Sequence, residues 1–162
     1  MIRNATMADV KAIHALLSHF AAQGKLLGRA LSSLYDQLRD FKVFVIPDPV
    51  DPDGLRELVV GSAALHVCWE NLAEIRSLAV AEGYHGQDIG TRLVRACLAE
   101  AELLGISKVF SLTYQPGFFK KLGFREIDKN ELPHKVWSDC INCPKFPDCN
   151  EIALLWEQGE KG

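Results

Sequence analysis

The run AVAEGYHGQDIGTRLV, residues 79–94, decides the fold. It opens as the end of a β-rich segment, EIRSLAV (Glu74 to Val80), crosses a glycine-bearing turn from Gly83 to Gly90, and enters a helix read from Thr91 to Leu104. Leu93, Val94, Cys97, Leu98 and Ala101 recur there at helical spacing and form its inward face. Gly105 stops the helix, and the buried-looking strand Val109 to Thr113 follows, so two parallel strands flank one helix. Backbone N–H groups at a helix N-terminus have no intrahelical partner, and the helix dipole adds positive potential to them. Gly86 to Thr91 is therefore a turn suited to an anion. The same letters would also serve a plain strand-to-helix connection.

Upstream, Ile2 to Thr6 reads as a short strand, with Thr6 or Asp9 capping a helix whose apolar residues are Val10, Ile13, Leu16, Leu17 and Phe20. A loop carrying Lys25, Gly28 and Arg29 leads to a second helix, Ser32 to Asp40. Phe41 to Ile46 and Glu57 to Trp69 are strands joined by the proline-rich segment Pro47 to Gly54. Downstream come a short helical stretch, Phe118 to Leu122, the turn Gly123-Phe124, a Pro/Cys/Asp-rich loop over 133–150, and a last strand, Glu151 to Trp156. The expected class is α/β (α+β): a mixed sheet of six to seven strands with about four flanking helices, in a single domain over 1–162.

A chain of 162 residues, 48% hydrophobic, suits one core. Its net charge of −3, without a block of like charge, offers no footprint for nucleic acid or an anionic membrane, so a small-molecule partner is expected. With no signal-like N-terminus and no bilayer-length apolar run, a cytoplasmic location is expected. Five cysteines leave one over from full pairing, and disulfides are not anticipated. The sequence leaves monomer and homodimer equally open.

Residues 79–94 resemble the pyrophosphate-binding motif of the GNAT acetyltransferases, Arg/Gln-x-x-Gly-x-Gly/Ala, with Gly90 at the final position. His85 replaces the usual Arg or Gln, and Asp88 the usual glycine. An Asp88 carboxylate near a diphosphate is unfavourable unless it turns away, and capping the helix is its expected use. FKKLGF (119–124) is similar to the segment Tyr-x-x-x-Gly-Phe that closes on pantetheine, with Phe119 in place of the tyrosine. The resemblance implies the GNAT fold, whose central parallel strands splay, and acetyl-CoA as co-substrate. It places the coenzyme against Leu78, Ala79, Val80, His85, Gly86, Gln87, Asp88, Ile89, Gly90, Thr91, Phe118 and Phe119.

LLGRALSSLYDQLRDF, AEIRSLAV, VFSLTYQPGFFKKLGF and LPHKVW together resemble the N-acetylglutamate synthases, particularly their short stand-alone form, whose long relatives also carry an aspartate at the Asp88 position. L-glutamate as acceptor, and the opening step of arginine biosynthesis, are what this implies. A dicarboxylate needs cationic anchors, and Arg29, Arg76 and Lys135 are the candidates. Arg76 lies two residues from Glu74, on the same face of the strand. Direct transfer needs a neutral amine, and Glu74, where these enzymes commonly place a glutamate, is the candidate base. A backbone N–H in Leu78 to Val80 would meet the developing oxyanion. Tyr114, then Thr113, are the candidates for protonating the thiolate. Each of these side chains has an ordinary alternative, as a paired surface charge or a packed strand end.

Cys140, Cys143 and Cys149, with His134 or Asp148, could complete a zinc site, but a single C-x-x-C pair argues for reduced thiols instead. Cys68 and Cys97 read as core residues. Two alternatives stay open: a GNAT enzyme for another amine or a protein N-terminus, and a non-catalytic metal or redox module built on the cysteine loop.

Overall fold

The structure, a computed structural model, describes residues 1–133 and 151–159. Its elements run β1 (Ile2–Asn4), α1 (Val10–Ala22), α2 (Leu31–Asp36), β2 (Phe41–Pro47), β3 (Glu57–Trp69), β4 (Leu72–Val80) and α3 (Ile89–Leu103). They continue with β5 (Lys108–Thr113), α4 (Pro116–Lys121), β6 (Arg125–Ile127) and β7 (Ile152–Glu157). The strands form a seven-stranded sheet in the order β1-β2-β3-β4-β5-β7-β6. It is mixed, with β4 and β5 parallel and the pairs β1/β2, β2/β3, β5/β7 and β6/β7 antiparallel.

One compact unit comprises Met1–Leu65 and Ser77–Leu98. Its core joins Val10, Ile13, Leu17 and Phe20 of α1 to Leu34, Phe41, Val43, Val45, Ala64 and Ala79. The four α1 residues sit at i, i+3, i+7 and i+10, one stripe of a helix. Burying each contributes about 1.5–3 kcal/mol. Ahead of α1, the buried Asp9 carboxylate accepts from both terminal nitrogens of Arg3 (2.7 and 3.0 Å) and from Thr6 N (2.7 Å). The expected cap residues thus work together, with Asp9 bonding back to Thr6. On β3, Gly61 lies against α3, where an added Cβ would stand 3.0 Å from Leu93 Cδ1 and 3.1 Å from Ile89 Cγ2.

The second unit comprises His66–Arg76 and Ala99–Gly162. Cys68, Leu72, Phe110, Ile127, Leu132, Ala153 and Leu155 make its core. Parallel pairing of β4 with β5 covers Leu72↔Lys108, Ala73↔Val109 and Glu74↔Phe110. Just past it, the Ser111 hydroxyl donates to the Ile75 carbonyl at 3.0 Å, a side chain meeting a carbonyl that a ladder N–H would otherwise take.

Several boundaries move. The second helix closes at Asp36 rather than Asp40: Gln37 leaves helical geometry (φ −109°, ψ 24°), and Leu38–Asp40 form a separate 3-10 turn feeding β2. The third helix begins at Ile89, not Thr91, because Asp88 O already accepts Arg92 N at 2.9 Å. β6 was not anticipated, and three residues are too few to show an alternation. Cys68 and Cys97 are buried. No helix among the described residues is long and apolar enough to cross a membrane.

Candidate active site

The turn before α3 is built from left-handed residues: Gly83 (φ 89°), Gly86 (φ 82°) and Asp88 (φ 60°). Such φ values are cheap for glycine and tolerable for Asp, which explains why a glycine position of the motif can hold Asp88. The expected side-chain cap does not form. An N-cap residue is extended, whereas Asp88 is left-handed, so its carboxylate does not lie over the first helical amides. It makes no hydrogen bond among the described residues, and the Asp88 backbone carbonyl opens the helix instead. At Gly86 an added Cβ would meet nothing within 4 Å, so the space beside this backbone is open on that side. An exposed turn of left-handed residues leading into the N-terminus of a 15-residue helix is a setting suited to an anion.

α1 braces this turn. His19 Nε2 and Gln23 Nε2 both lie against Glu82 Oε1, at 3.0 and 3.3 Å. The His19 hydrogen bond, then that of Gln23, holds the Glu82 carboxyl below the usual carboxylate range. His85 stacks on Phe20 (centroids 6.2 Å apart, planes at 20°), and its Nε2–H donates to Val80 O at 2.6 Å. That nitrogen therefore ties the turn to the end of β4. Ile89 is buried, while Gly86, Gln87 and Asp88 are exposed, as backbone donors to a ligand need to be.

Arg29, just ahead of α2, is the most fully held cationic candidate. Its Nη1 donates to Ser77 Oγ (3.0 Å), and its Nη2 donates to Ser33 Oγ (2.8 Å) and to Gln37 Oε1. Its guanidinium carbon also stands 5.8 Å from the centre of the buried Phe41 ring. Ser77 was not singled out from the sequence. It is left-handed (φ 56°) inside β4, and its carbonyl accepts from the fully buried Ser62 hydroxyl at 2.9 Å. Serines within the apolar runs VVGSAAL and EIRSLAV were the available signal.

In the second unit, Arg76 Nε approaches Glu74 Oε1 at 3.5 Å, with side chains 23% and 15% exposed. The shared face anticipated for these residues is real. The contact is an ion pair by distance only, since the buried Arg76 Nε has no hydrogen-bond partner among the described residues. Thr113 Oγ1 accepts Gln115 N at 2.9 Å, which leaves its hydroxyl proton free to be donated, and Tyr114 is half-buried beside it in the chain. Phe119 is buried, edge-on to Phe118 and Phe124 with centroids 5.1 Å away in each case, so it packs as expected. Lys135 and the group His134, Cys140, Cys143, Asp148 and Cys149 lie outside the described residues. Among the described residues, no three His, Cys, Asp or Glu side chains gather as a metal site.

Comparison with known proteins decides the family. The model of the acetyltransferase (GNAT) family matches residues 16–124. The chain belongs to the GNAT family. It is an acetyl-CoA-dependent N-acetyltransferase, and its sheet and helices are those of GNAT structures. An uncharacterized N-acetyltransferase of Chlorobaculum tepidum is 40% identical over 95% of this chain and 94% of its own. The amino-acid acetyltransferase of Mycobacterium tuberculosis is 37% identical over 86% of this chain and 76% of its own. Among solved structures, N-acetylglutamate synthase from Neisseria gonorrhoeae, complexed with coenzyme A and N-acetyl-glutamate, superposes with a TM-score of 0.82 at 26% identity. That likeness spans 98% of this GNAT chain and 35% of the gonococcal one.

Proposed function

We propose that the protein transfers the acetyl group of acetyl-CoA to the α-amino group of L-glutamate. The observation that carries this reading is the held Arg29 guanidinium, which donates to Ser77, Ser33 and Gln37. An orientation set in advance lowers the ordering cost of receiving a carboxylate. Arg76, beside Glu74 on β4, is the other described cationic candidate for an anionic acceptor. The relatives named as amino-acid acetyltransferases, and the synthase crystallised with N-acetyl-glutamate, support the same substrate class.

In this reading Glu74 takes one proton from the substrate ammonium, leaving a lone pair on nitrogen. The amine attacks the thioester carbonyl carbon, the C–S bond breaks, and the thiolate takes a proton from Tyr114 or Thr113, which is restored by the second proton that the nitrogen sheds as it becomes an amide. Backbone N–H groups of residues 86–91 hold the coenzyme's diphosphate, and those of 78–80 stand along the acyl-bearing arm.

Free-thiol release from acetyl-CoA, measured with L-glutamate, L-glutamine, L-aspartate, spermidine and no acceptor, tests the proposal. Release selective for glutamate is expected. Selective release with another amine would keep the acetyltransferase and discard the glutamate assignment.

A further inference from the structure

We infer that His85 makes coenzyme affinity depend on pH, its imidazole gaining positive charge at the turn before α3 without giving up the hydrogen bond that holds it there. The inference rests on the reading of residues 86–91 as the place where the coenzyme's diphosphate binds.

The tautomer of this ring is fixed by its partner. A carbonyl oxygen can only accept, so the Val80 carbonyl, 2.6 Å from His85 Nε2, places the ring hydrogen on Nε2 and leaves the lone pair on Nδ1. A second proton therefore enters at Nδ1. It breaks nothing: the Nε2–H bond to Val80 persists in the imidazolium, and the ring keeps its place stacked on Phe20. His85 is exposed, its Nδ1 makes no hydrogen bond among the described residues, and Gly86, the first residue of the proposed diphosphate turn, follows it directly.

The other charges around this ring keep their sign through neutral pH or are already matched. The turn itself carries Glu82, the Tyr84 phenol and Asp88. From α1 comes His19, and Lys25 just beyond that helix lies 5.7 Å from the centre of the Phe20 ring. From α3 comes Arg92, whose guanidinium stands 4.9 Å over the Phe44 ring. Carboxylates, phenols, lysines and arginines ordinarily hold one charge state between pH 6 and 8, whereas imidazoles change theirs. Of the two histidines, His19 faces the Glu82 carboxylate at 3.0 Å, so charge gained there meets a protein anion in contact. His85 is bonded to a neutral carbonyl and has no ion-pair partner among the described residues, which leaves its charge for a bound anion. A diphosphate beside the turn favours the imidazolium, and by linkage the imidazolium favours the diphosphate. The added affinity is present in full below the titration of the ring in the free protein. It is lost as pH rises through the higher titration of the ring in the complex.

Calorimetric titration with coenzyme A from pH 6 to 8, at low and high salt, tests this on the parent chain, His85→Gln, His85→Arg and His19→Gln. Glutamine keeps a donor for Val80 and stays neutral. The coenzyme's own phosphate monoester titrates near pH 6, and comparison with His85→Gln isolates the contribution of the ring. Between pH 6 and 8 the parent's Kd is expected to rise about 3- to 10-fold more than that of His85→Gln at low ionic strength, with the difference shrinking as salt is added. His85→Arg keeps its charge, so it should bind more tightly than His85→Gln with no greater pH dependence. His19→Gln should retain the parent's pH dependence. In an NMR titration of the parent chain, coenzyme A should move the midpoint of the His85 ring to higher pH. Equal pH dependence in the parent and His85→Gln, or a His85 midpoint that coenzyme A leaves in place, would overturn the inference. Loss of the pH dependence in His19→Gln alone would assign it to the pair with Glu82 instead. A Kd that neither the changes at residue 85 nor Asp88→Asn alters would remove the diphosphate from this turn, and the role of His85 with it.

Discussion

Arg76 Nε stands 3.5 Å from Glu74 Oε1, so the candidate base carries a guanidinium as its neighbour on the same face of β4. A positive charge at this range favours the ionised carboxylate and so favours a base ready to accept a proton. Removing it should make the carboxylate harder to ionise. Arg76→Ala is therefore expected to move the acid limb of the kcat/KM profile to higher pH, and Arg76→Lys to restore it in part. A profile that stays in place while both KM values rise together would assign Arg76 to the fold rather than to Glu74.

Replacing Glu74 by Gln removes the base while keeping the side chain's volume. Turnover at neutral pH should fall by about 10²–10⁴-fold, and the deficit should narrow as pH rises and solution supplies the neutral amine. The acetyl-CoA KM should change little. A rate deficit that is the same at every pH would remove Glu74 from the proton-transfer step.

The left-handed Asp88 carries its carboxylate on the turn before α3, where we propose the coenzyme's diphosphate binds, without a hydrogen-bonding partner among the described residues. Asn tolerates the same backbone and removes the charge. Asp88→Asn is expected to tighten coenzyme A binding by about 2- to 5-fold at low ionic strength, with the gain shrinking as added salt screens the repulsion. Calorimetric titration at two salt concentrations measures it, and a gain independent of salt would point to something other than charge.

The strand–turn–helix unit at 74–104 could be read from sequence because glycine, helical periodicity and a following apolar strand all agree there. Arg29, Glu74 and Arg76 could be singled out as candidates because anionic substrates and proton transfer call for those residue types. The contacts of Ser77 and Ser62 could not be read, because they depend on one backbone angle and one buried hydrogen bond, and a serine in an apolar strand carries no spacing signal. Asp88 was misread for a related reason: its letter is that of a helix cap, but its left-handed φ belongs to the glycine whose place it takes. β6 escaped because its stability comes from pairing with β7, a partner far along the chain.

Asp9 offers a pH-dependent stability test. Hydrogen bonds from Arg3, the largest influence, outweigh burial and hold the Asp9 carboxyl below the usual aspartate range. A lowered folded-state pKa contributes stability above the unfolded-state value, about 3.9, and loses it as pH falls through the lower folded-state value. Asp9→Asn should therefore destabilise the protein at pH 7 by about 1–3 kcal/mol, a range reduced from that of a fully buried pair because Arg3 remains 27% exposed. The Tm difference from the parent chain should diminish as the pH drops below the ordinary aspartate range. A constant difference would mean that packing, not charge, is what the substitution removes.

Gly61 sets how closely β3 approaches α3, and with it the placement of the turn that precedes the helix. A Cβ at this position would stand 3.0 Å from Leu93 Cδ1, 3.1 Å from Ile89 Cγ2 and 3.4 Å from Ala79 O. The Leu93 methyl can swing aside, but the Ile89 methyl hangs from a β-branched carbon with little rotamer freedom, so the first turn of α3 must give way. Gly61→Ala is expected to cost about 1–2 kcal/mol in denaturant unfolding, and Gly61→Val more. Because Ile89 directly follows the turn proposed to hold the diphosphate, displacement of the helix start should raise the acetyl-CoA KM more than the acceptor KM. Loss of stability without that asymmetry would show that α3 absorbs the added methyl along its length and leaves its N-terminal turn where it was.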